Sequence, residues 1–314
     1  MARREDSAGY GTTLPATTAR LVELAAEIMG DPDPDELAFI HSALAQTYLP
    51  YRQPPADARD YHRTNGRVSL VVSAGYLADP RTGKMVLQGI PYGSRPRLLM
   101  LHLCSEAIRR QSAVVPIADS MSAFMKTLGL QVTGGKRGTV GRFKEQLNRL
   151  AAARLQMGMA FEGHATTINA QVVEQFDVWF PDDPRQKVLW PSTIVLSEQF
   201  FGSLKDHALP LDPRGIRALQ HSARALDIYA WLAHRLPRVK GRNGDKVSWA
   251  ALQAQFGGDM RDRKQFRRDF KHALTQAHAV YPRARVDQVV GGLQLRKSPP
   301  PIHRKVIPVA HQPG

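Results

Sequence analysis

Residues 134–150 read GGKRGTVGRFKEQLNRL, and two chemistries fit that mixture of glycine and basic side chains. One is a loop that cradles nucleotide phosphates. It needs the spacing G-x-x-x-x-G-K-[ST], with a lysine for the outer phosphates and a hydroxyl for magnesium. Gly129 and Gly134 have that spacing, but Gly135 stands where the lysine belongs and Lys136 where the hydroxyl belongs. No aspartate-ended apolar strand follows to supply a second magnesium ligand, so the pattern argues against an ATP site. The other is a turn that sets a helix against DNA. Val140, Phe143, Leu147 and Leu150 fall on one helical face. The opposite face carries Gly141, Arg142, Glu145, Asn148 and Arg149, with Thr139 as the expected cap. Arginine pairs with guanine edges and asparagine with adenine edges. Lys136 and Arg137 precede the helix N-terminus, where a backbone phosphate also meets the helix dipole. A competing reading makes Glu145 and Arg149 an ordinary i,i+4 surface pair.

A second segment, DRKQFRRDFKHALTQAHA at 262–279, repeats the pattern with more charge. Phe266, Phe270, Leu274 and Ala277 form its apolar face. Lys264, Arg268, Lys271, His272 and Thr275 lie opposite, with Arg263 and Arg267 at the flanks. Such a density of like charge is self-repelling on a purely structural helix, whereas a phosphate backbone relieves it and adds counterion release. Arg283, Arg285, Arg296 and Lys297 frame the hairpin expected next, the placement of a wing on the DNA backbone. The loop RVKGRNGDK adds Arg238, Lys240, Arg242 and Lys246.

No catalytic constellation accompanies these faces. The histidines form neither H-x-H nor H-E-x-x-H, so no metal site and no cofactor are expected. His62 beside Tyr61 falls short of the paired histidines and tyrosine nucleophile of a nickase. His102, His234, Trp231 and Trp249 lie in core patterns. Cys104, the single cysteine, sits in the apolar run RLLMLHLCSEAI and reads as a small core residue. The expectation is a protein that is not an enzyme.

The elements that position these faces come in two copies. The first has a buried helix at RPRLLMLHLCSEAIRRQ, a strand AVVPIA, a helix SMSAFMKTLG capped by Ser120, a third helix from about Thr139 to Ala153, and strands RLQMGMAFEG and QVVEQFDVWF. The second has ARALDIYAWLAHRL, SWAALQAQFGG capped by Ser248, a helix from Asp262 to Ala279, and strands ARVDQVV and LQLRKS around a turn at Gly291-Gly292. Ser120 and Ser248, Phe124 and Leu252, Leu128 and Phe256, and Gly129 and Gly257 share one sequence offset. Helix, strand, helix, turn, helix, hairpin is the order of a winged helix. The predicted class is α+β: an N-terminal helical extension (1–50), two tandem winged-helix domains (51–183 and 184–300), and a C-terminal tail (301–314). The extension comprises TTARLVELAAEIMG and DPDPDELAFIHSALAQTYL; the strand STIVLS is assigned to the second domain. RVSLVVSAGYL and GKMVLQGI read as strands around DPRTG.

Composition agrees with a polyanion as partner. The chain has 314 residues, 43 Lys+Arg against 28 Asp+Glu, and a net charge of +15. A soluble enzyme with a basic surface is the bland alternative. No apolar run reaches membrane-spanning length, no signal peptide is visible, and one cysteine suits a reducing compartment, so the expected location is the cytoplasm, without membrane contact.

The blocks GIPYGSRPRLLMLHLCSEAIRRQS, SMSAFMKTLGLQVTGGKRGTVGRFKEQLNRL, LSEQFFGSLKDHALPLDPRGIRAL, ALDIYAWLAHRL, SWAALQAQFG and VYPRARVDQVVGGLQLRKSPP occur in order within a match that runs from about Tyr51 to Pro301. Together they resemble plasmid-encoded RepA-type replication initiators. The resemblance implies tandem winged helices that bind directly repeated origin sites (iterons) in double-stranded DNA and open the adjacent duplex. It implies recruitment of the host initiator and replicative helicase, and a homodimeric state that represses the protein's own promoter. The alternative is a winged-helix transcriptional repressor without a replication role; the residues alone do not separate the two.

Overall fold

The computed structural model describes residues 28, 30, 32–79, 82–135, 138–161, 164–175, 193–258, 260 and 262–302. The chain is a mixed α/β protein whose small sheets are all antiparallel.

A 3-10 turn, Pro34–Glu36, leads into strand β1 (Ala38–His41). Strands β2 (Asp60–Asn65) and β3 (Val68–Ser73) follow, then a two-stranded ribbon of β4 (Tyr76–Ala78) and β5 (Met85–Leu87). Helix α1 (Ser94–Arg110) buries the run Leu98 to Cys104 almost entirely. Strand β6 (Val114–Pro116) leads to α2 (Met121–Thr127), whose cap Ser120 accepts a hydrogen bond from the Ala123 amide. Helix α3 (Thr139–Ala152) runs into β7 (Arg154–Phe161), which pairs with β8 (His164–Gln171). The resulting sheet has the order β2-β3-β7-β8, with Val68, Leu70 and Val72 of β3 alternating into the core. Strands β9 (Val173–Gln175) and β10 (Thr193–Leu196) join β6 in the order β6-β10-β9.

Helix α4 (Glu198–His207) passes directly into β11 (Ala208–Leu211), which pairs with β1. Helices α5 (Pro213–Leu219) and α6 (Ala223–Arg235) are followed by β12 (Asp245–Ser248), α7 (Trp249–Phe256) and α8 (Arg263–Ala279). Strands β13 (Val286–Val289) and β14 (Gly292–Leu295) complete a sheet of order β12-β14-β13. One apolar cluster, from Ala38 to Leu295, runs through both repeated units. At its centre the two first helices of the repeats meet. Arg97 of α1 donates from Nε (2.8 Å) and Nη2 (2.7 Å) to the two carboxylate oxygens of Asp227 of α6. Both side chains are buried, and the remaining guanidinium hydrogens reach the carbonyls of Leu49, Pro50 and Gly93.

Several expectations change. Residues 34–47 form the 3-10 turn, β1 and further turns rather than the second helix of an N-terminal extension. The run Leu37–Ile40 is buried on both sides, as a paired strand can be; TTARLVELAAEI lies outside the described residues apart from Ile28. Strand β10, assigned to the second domain, pairs with β6 and β9 of the first repeat, so the sheets do not part at 183/184. The expected tail stays docked at its start: Ile302 packs with Leu37 and Phe39. Thr139 does not cap α3. Gly138 is the cap position, and Thr139 Oγ1 accepts from the Thr133 amide (2.9 Å) and donates to the Gln131 carbonyl (2.7 Å), clasping the preceding loop. The hairpin turn is Val290-Gly291, one residue earlier than expected. Gly292 is already in β14, where a Cβ would fall on the Val247 carbonyl oxygen. Gly129 has φ +74 whereas its repeat partner Gly257 is right-handed, so that match does not extend to the backbone.

Candidate nucleic-acid interface

Helix α8 sorts its side chains as an amphipathic helix must. Phe266, Phe270, Ala273, Leu274 and Ala277 are buried, while Arg263, Lys264, Arg267, Arg268, Lys271, His272 and Thr275 are exposed. Asp262 caps the helix by accepting from the amides of Lys264 (2.8 Å) and Gln265 (3.3 Å). Trp249, half-buried at the start of α7, lies beneath two of the cations. Arg267 Cζ is 5.8 Å and Lys271 Nζ 5.6 Å from its ring centroid, and the indole packs edge-on to Phe270. Sequence periodicity placed Trp249 on a core face; it also serves as a platform that orients charge. Arg268 is 73% exposed, 3.6 Å from Asp269. Among the described residues no carboxylate pairs with Arg263, Lys264, Arg267 or Lys271.

The hairpin β13–β14 follows α8 and pairs with β12, with Val290, 94% exposed, at its tip and Gly291 at φ +87. Arg283, Arg285 and Lys297 are exposed at its base. Arg296 is also exposed but lies 3.0 Å from Asp287, which offsets part of its charge. In the loop before β12, Lys240, Arg242 and Lys246 are exposed, whereas Arg238 donates to the His234 carbonyl (2.6 Å) and Arg235 pairs with Asp245 (2.7 Å).

The expected face of α3 is narrower. Arg142 is exposed and no carboxylate pairs with it among the described residues. Arg149 is only 14% exposed: it pairs with Glu145 (2.6 Å), donates to the Ile90 carbonyl (3.2 Å), and stacks on Tyr92 (5.1 Å). Asn148 is half-buried, its Oδ1 inside the protein without a hydrogen-bond partner among the described residues. For Arg149 the cause is the loop Gly89–Gly93, which lies on its side of α3. Gly89 comes so close to Arg149 that a Cβ there would collide with the guanidinium, and the Tyr92 amide donates to Gln146 Oε1 (2.8 Å). The i,i+4 pair that competed with base reading is therefore present. Lys136 and Arg137 lie outside the described residues.

Sequence reasoning missed Arg95. It is half-buried at the start of α1, close enough to Arg142 that burial first, and then Arg142's charge, lower its pKa. Nothing in SRPRLL distinguishes this arginine from Arg97, two positions on, which is fully buried.

Burial pushes the Cys104 thiol up to about 12, so it is inert. Among the described residues no group of three His, Cys, Asp or Glu is placed to hold a metal ion, and no helix is long and apolar enough to cross a membrane.

A family profile described as plasmid-encoded RepA protein matches residues 90–251, the span from the loop before α1 through the start of α7. The chain belongs to this family. The matched span contains α3, the β7–β8 hairpin and the ion-paired α1 and α6, and stops short of α8. No curated protein matches the chain. Among solved structures, the crystal structure of domains 2 and 3 of RctB, as selenomethionine derivatives, is similar at a TM-score of 0.48 and 11% identity, covering 75% of this chain and 83% of that one.

Proposed function

We propose that this RepA-family chain is a plasmid replication initiator that binds repeated origin sites in duplex DNA and is not an enzyme. Each repeat acts as a winged-helix unit. The first centres on α3 with the β7–β8 hairpin, and the second on α8 with the β13–β14 wing. The single observation that supports this most is α8 itself: a buried aromatic face, an opposite face of exposed cations of which Arg263, Lys264, Arg267 and Lys271 pair with no carboxylate among the described residues, and a three-stranded wing sheet following it in the chain. Arg267 and Lys271, steadied by Trp249, take backbone phosphates. Lys264 and Arg268, exposed on the same helix, take further phosphates, and His272 enters the major groove, where base edges carry the sequence code. Arg285 and Lys297 place the wing on the backbone. In the first repeat, Arg142 is the residue that reads a base, while Arg149 holds the helix in place. Host initiator, helicase and a second copy of the chain remain the expected protein partners, with origin opening the step that follows DNA binding.

The test is a hydroxyl-radical footprint of the full chain on the DNA upstream of its own gene. The reading requires protection that repeats with the sequence repeats and survives competition by scrambled duplex. Protection indifferent to sequence would refute it.

A further inference from the structure

The two reading helices are connected by a line of contacts that neither of them supplies. Arg142 of α3 lies near Arg95, and Tyr92, three residues before Arg95, donates from its hydroxyl to Gln53 Oε1 (3.3 Å). Arg52 precedes Gln53 and opens onto a pocket of about 90 Å³ between the repeats, shared with Tyr51, Tyr61, Arg63, Arg224 and Gly258. Arg224 in turn lines a cleft of about 450 Å³ with Arg268 and His272 of α8.

The small pocket is built around guanidinium groups. The Tyr51 ring lies between Arg97 (5.0 Å) and Arg224 (4.9 Å). Arg63 stacks on Tyr61 (5.1 Å) and donates from Nε to its hydroxyl (2.6 Å), which leaves both Nη groups for other work. Among the described residues Arg224 Nε is buried with no hydrogen-bond partner, while its Nη2 donates to Met260 Sδ (3.2 Å), Asp269 stands 3.8 Å from Nη1, and Asp227, already held by Arg97, is close enough to feel its charge. Among the described residues no carboxylate pairs with Arg52 or Arg63. Gly258 has φ +56, and a Cβ there would press on Arg63 Nη2, so the turn after α7 is shaped to let that guanidinium in. Crowded cations with unfilled donors call for an anion. The volume decides its size: about three water volumes, far below the roughly 300–1,000 Å³ of a nucleotide-sized site.

We infer that Arg52, Arg63 and Arg224 form a phosphate seat for the DNA backbone between the segments contacted by α3 and α8, so that one duplex is held at three places. This rests on the DNA-binding function proposed above. The buried Arg97–Asp227 pair beside the seat fixes α1 against α6, and with them the spacing of the outer contacts.

Phosphate-ethylation interference on the upstream repeat DNA tests it, using the full chain and two variants. Arg52→Ala removes an exposed side chain that makes no hydrogen bond among the described residues; Arg52→Ala/Arg63→Gln also removes the half-buried guanidinium of Arg63. Wild type is expected to show a central cluster of interfering phosphates between two outer ones. The double variant should lose the central cluster, keep the outer ones, and show a salt slope shallower by about two; the single variant should lose about one. An interference pattern in the double variant identical to wild type, or no central cluster in wild type, would overturn the seat while leaving helix-mediated binding intact. A wild-type chain that fails to bind the duplex at all would overturn both the seat and the function on which it rests.

Discussion

Removing two cations from α8 should weaken DNA binding more than removing two from α3, and the structure sets the size of the difference. Lys264 is exposed with no carboxylate partner, and Arg268 is 73% exposed. Each cation lost from the backbone makes the salt slope shallower by roughly 0.9, so Lys264→Ala/Arg268→Ala should lose about 1.8. With affinity at about 1 M salt unchanged, that becomes a ~30-fold loss at about 0.15 M, or about 2 kcal/mol. If either side chain reads a base instead, the loss falls on the cognate repeat and exceeds this figure. Arg142→Ala/Arg149→Ala removes only one exposed cation, because Arg149 is held by Glu145, Ile90 and Tyr92. Because Arg142 reads a base rather than a phosphate, the slope should stay near the wild-type value and the loss, confined to the cognate repeat, should lie near the low end of a base contact, about 1 kcal/mol or ~5-fold. Fluorescence anisotropy on the upstream repeat across a KCl series measures both. A wild-type slope for Lys264→Ala/Arg268→Ala, or a larger loss from the α3 pair, would refute the assignment of the dominant face to α8.

Other perturbations test the scaffold. Gly292→Ala forces a Cβ onto the Val247 carbonyl oxygen and should lower thermal stability, with DNA affinity falling alongside as the wing is displaced. A stability loss with unchanged affinity would remove the wing from the interface. Asp227→Ala strands Arg97 in the core and should cost about 3–5 kcal/mol by urea unfolding, since one charge of a buried pair is left uncompensated. A change under about 1 kcal/mol would show that water reaches the site. His41 has its pKa lowered to about 4, chiefly by burial and then by His207, and its neutral ring accepts from the Ala43 amide (3.1 Å). The unfolded chain takes up that proton near pH 6.5 and the folded chain only near 4. The stabilisation is therefore complete above about pH 6.5 and lost as pH falls toward 4, by up to about 3 kcal/mol. His41→Asn should flatten that part of the stability–pH curve.

What the sequence made legible follows periodicity. Helices α1, α3, α6 and α8 carry strong 3.6-residue patterns, and the serine caps before α2 and α7 are local chemistry, so they could be read residue by residue. Strand β1 could not. A four-residue apolar run is as compatible with a helix as with a strand, and its partner β11 lies far along the chain. Strand β8, HATTINAQ, is too polar to stand out and is a strand because β7 pairs with it. The pairing of β10 with β6 likewise has no local signal. The same divide runs through the interface. The cationic face of α8 is visible in its spacing. The loss of Arg149 from the face of α3 depends on the loop at Gly89–Gly93, and the three arginines between the repeats come from three separate segments.

The most direct measurement of the central claim is plasmid maintenance. The gene with its upstream repeats is placed on a circle that has no other origin, and retention over successive generations is scored. The wild-type gene should sustain the plasmid, and Lys264→Ala/Arg268→Ala, expressed and folded to the same level, should not. A wild-type gene that binds its repeats yet never sustains the circle would contradict initiation and leave repression, and a fully competent Lys264→Ala/Arg268→Ala variant would contradict the role given to α8.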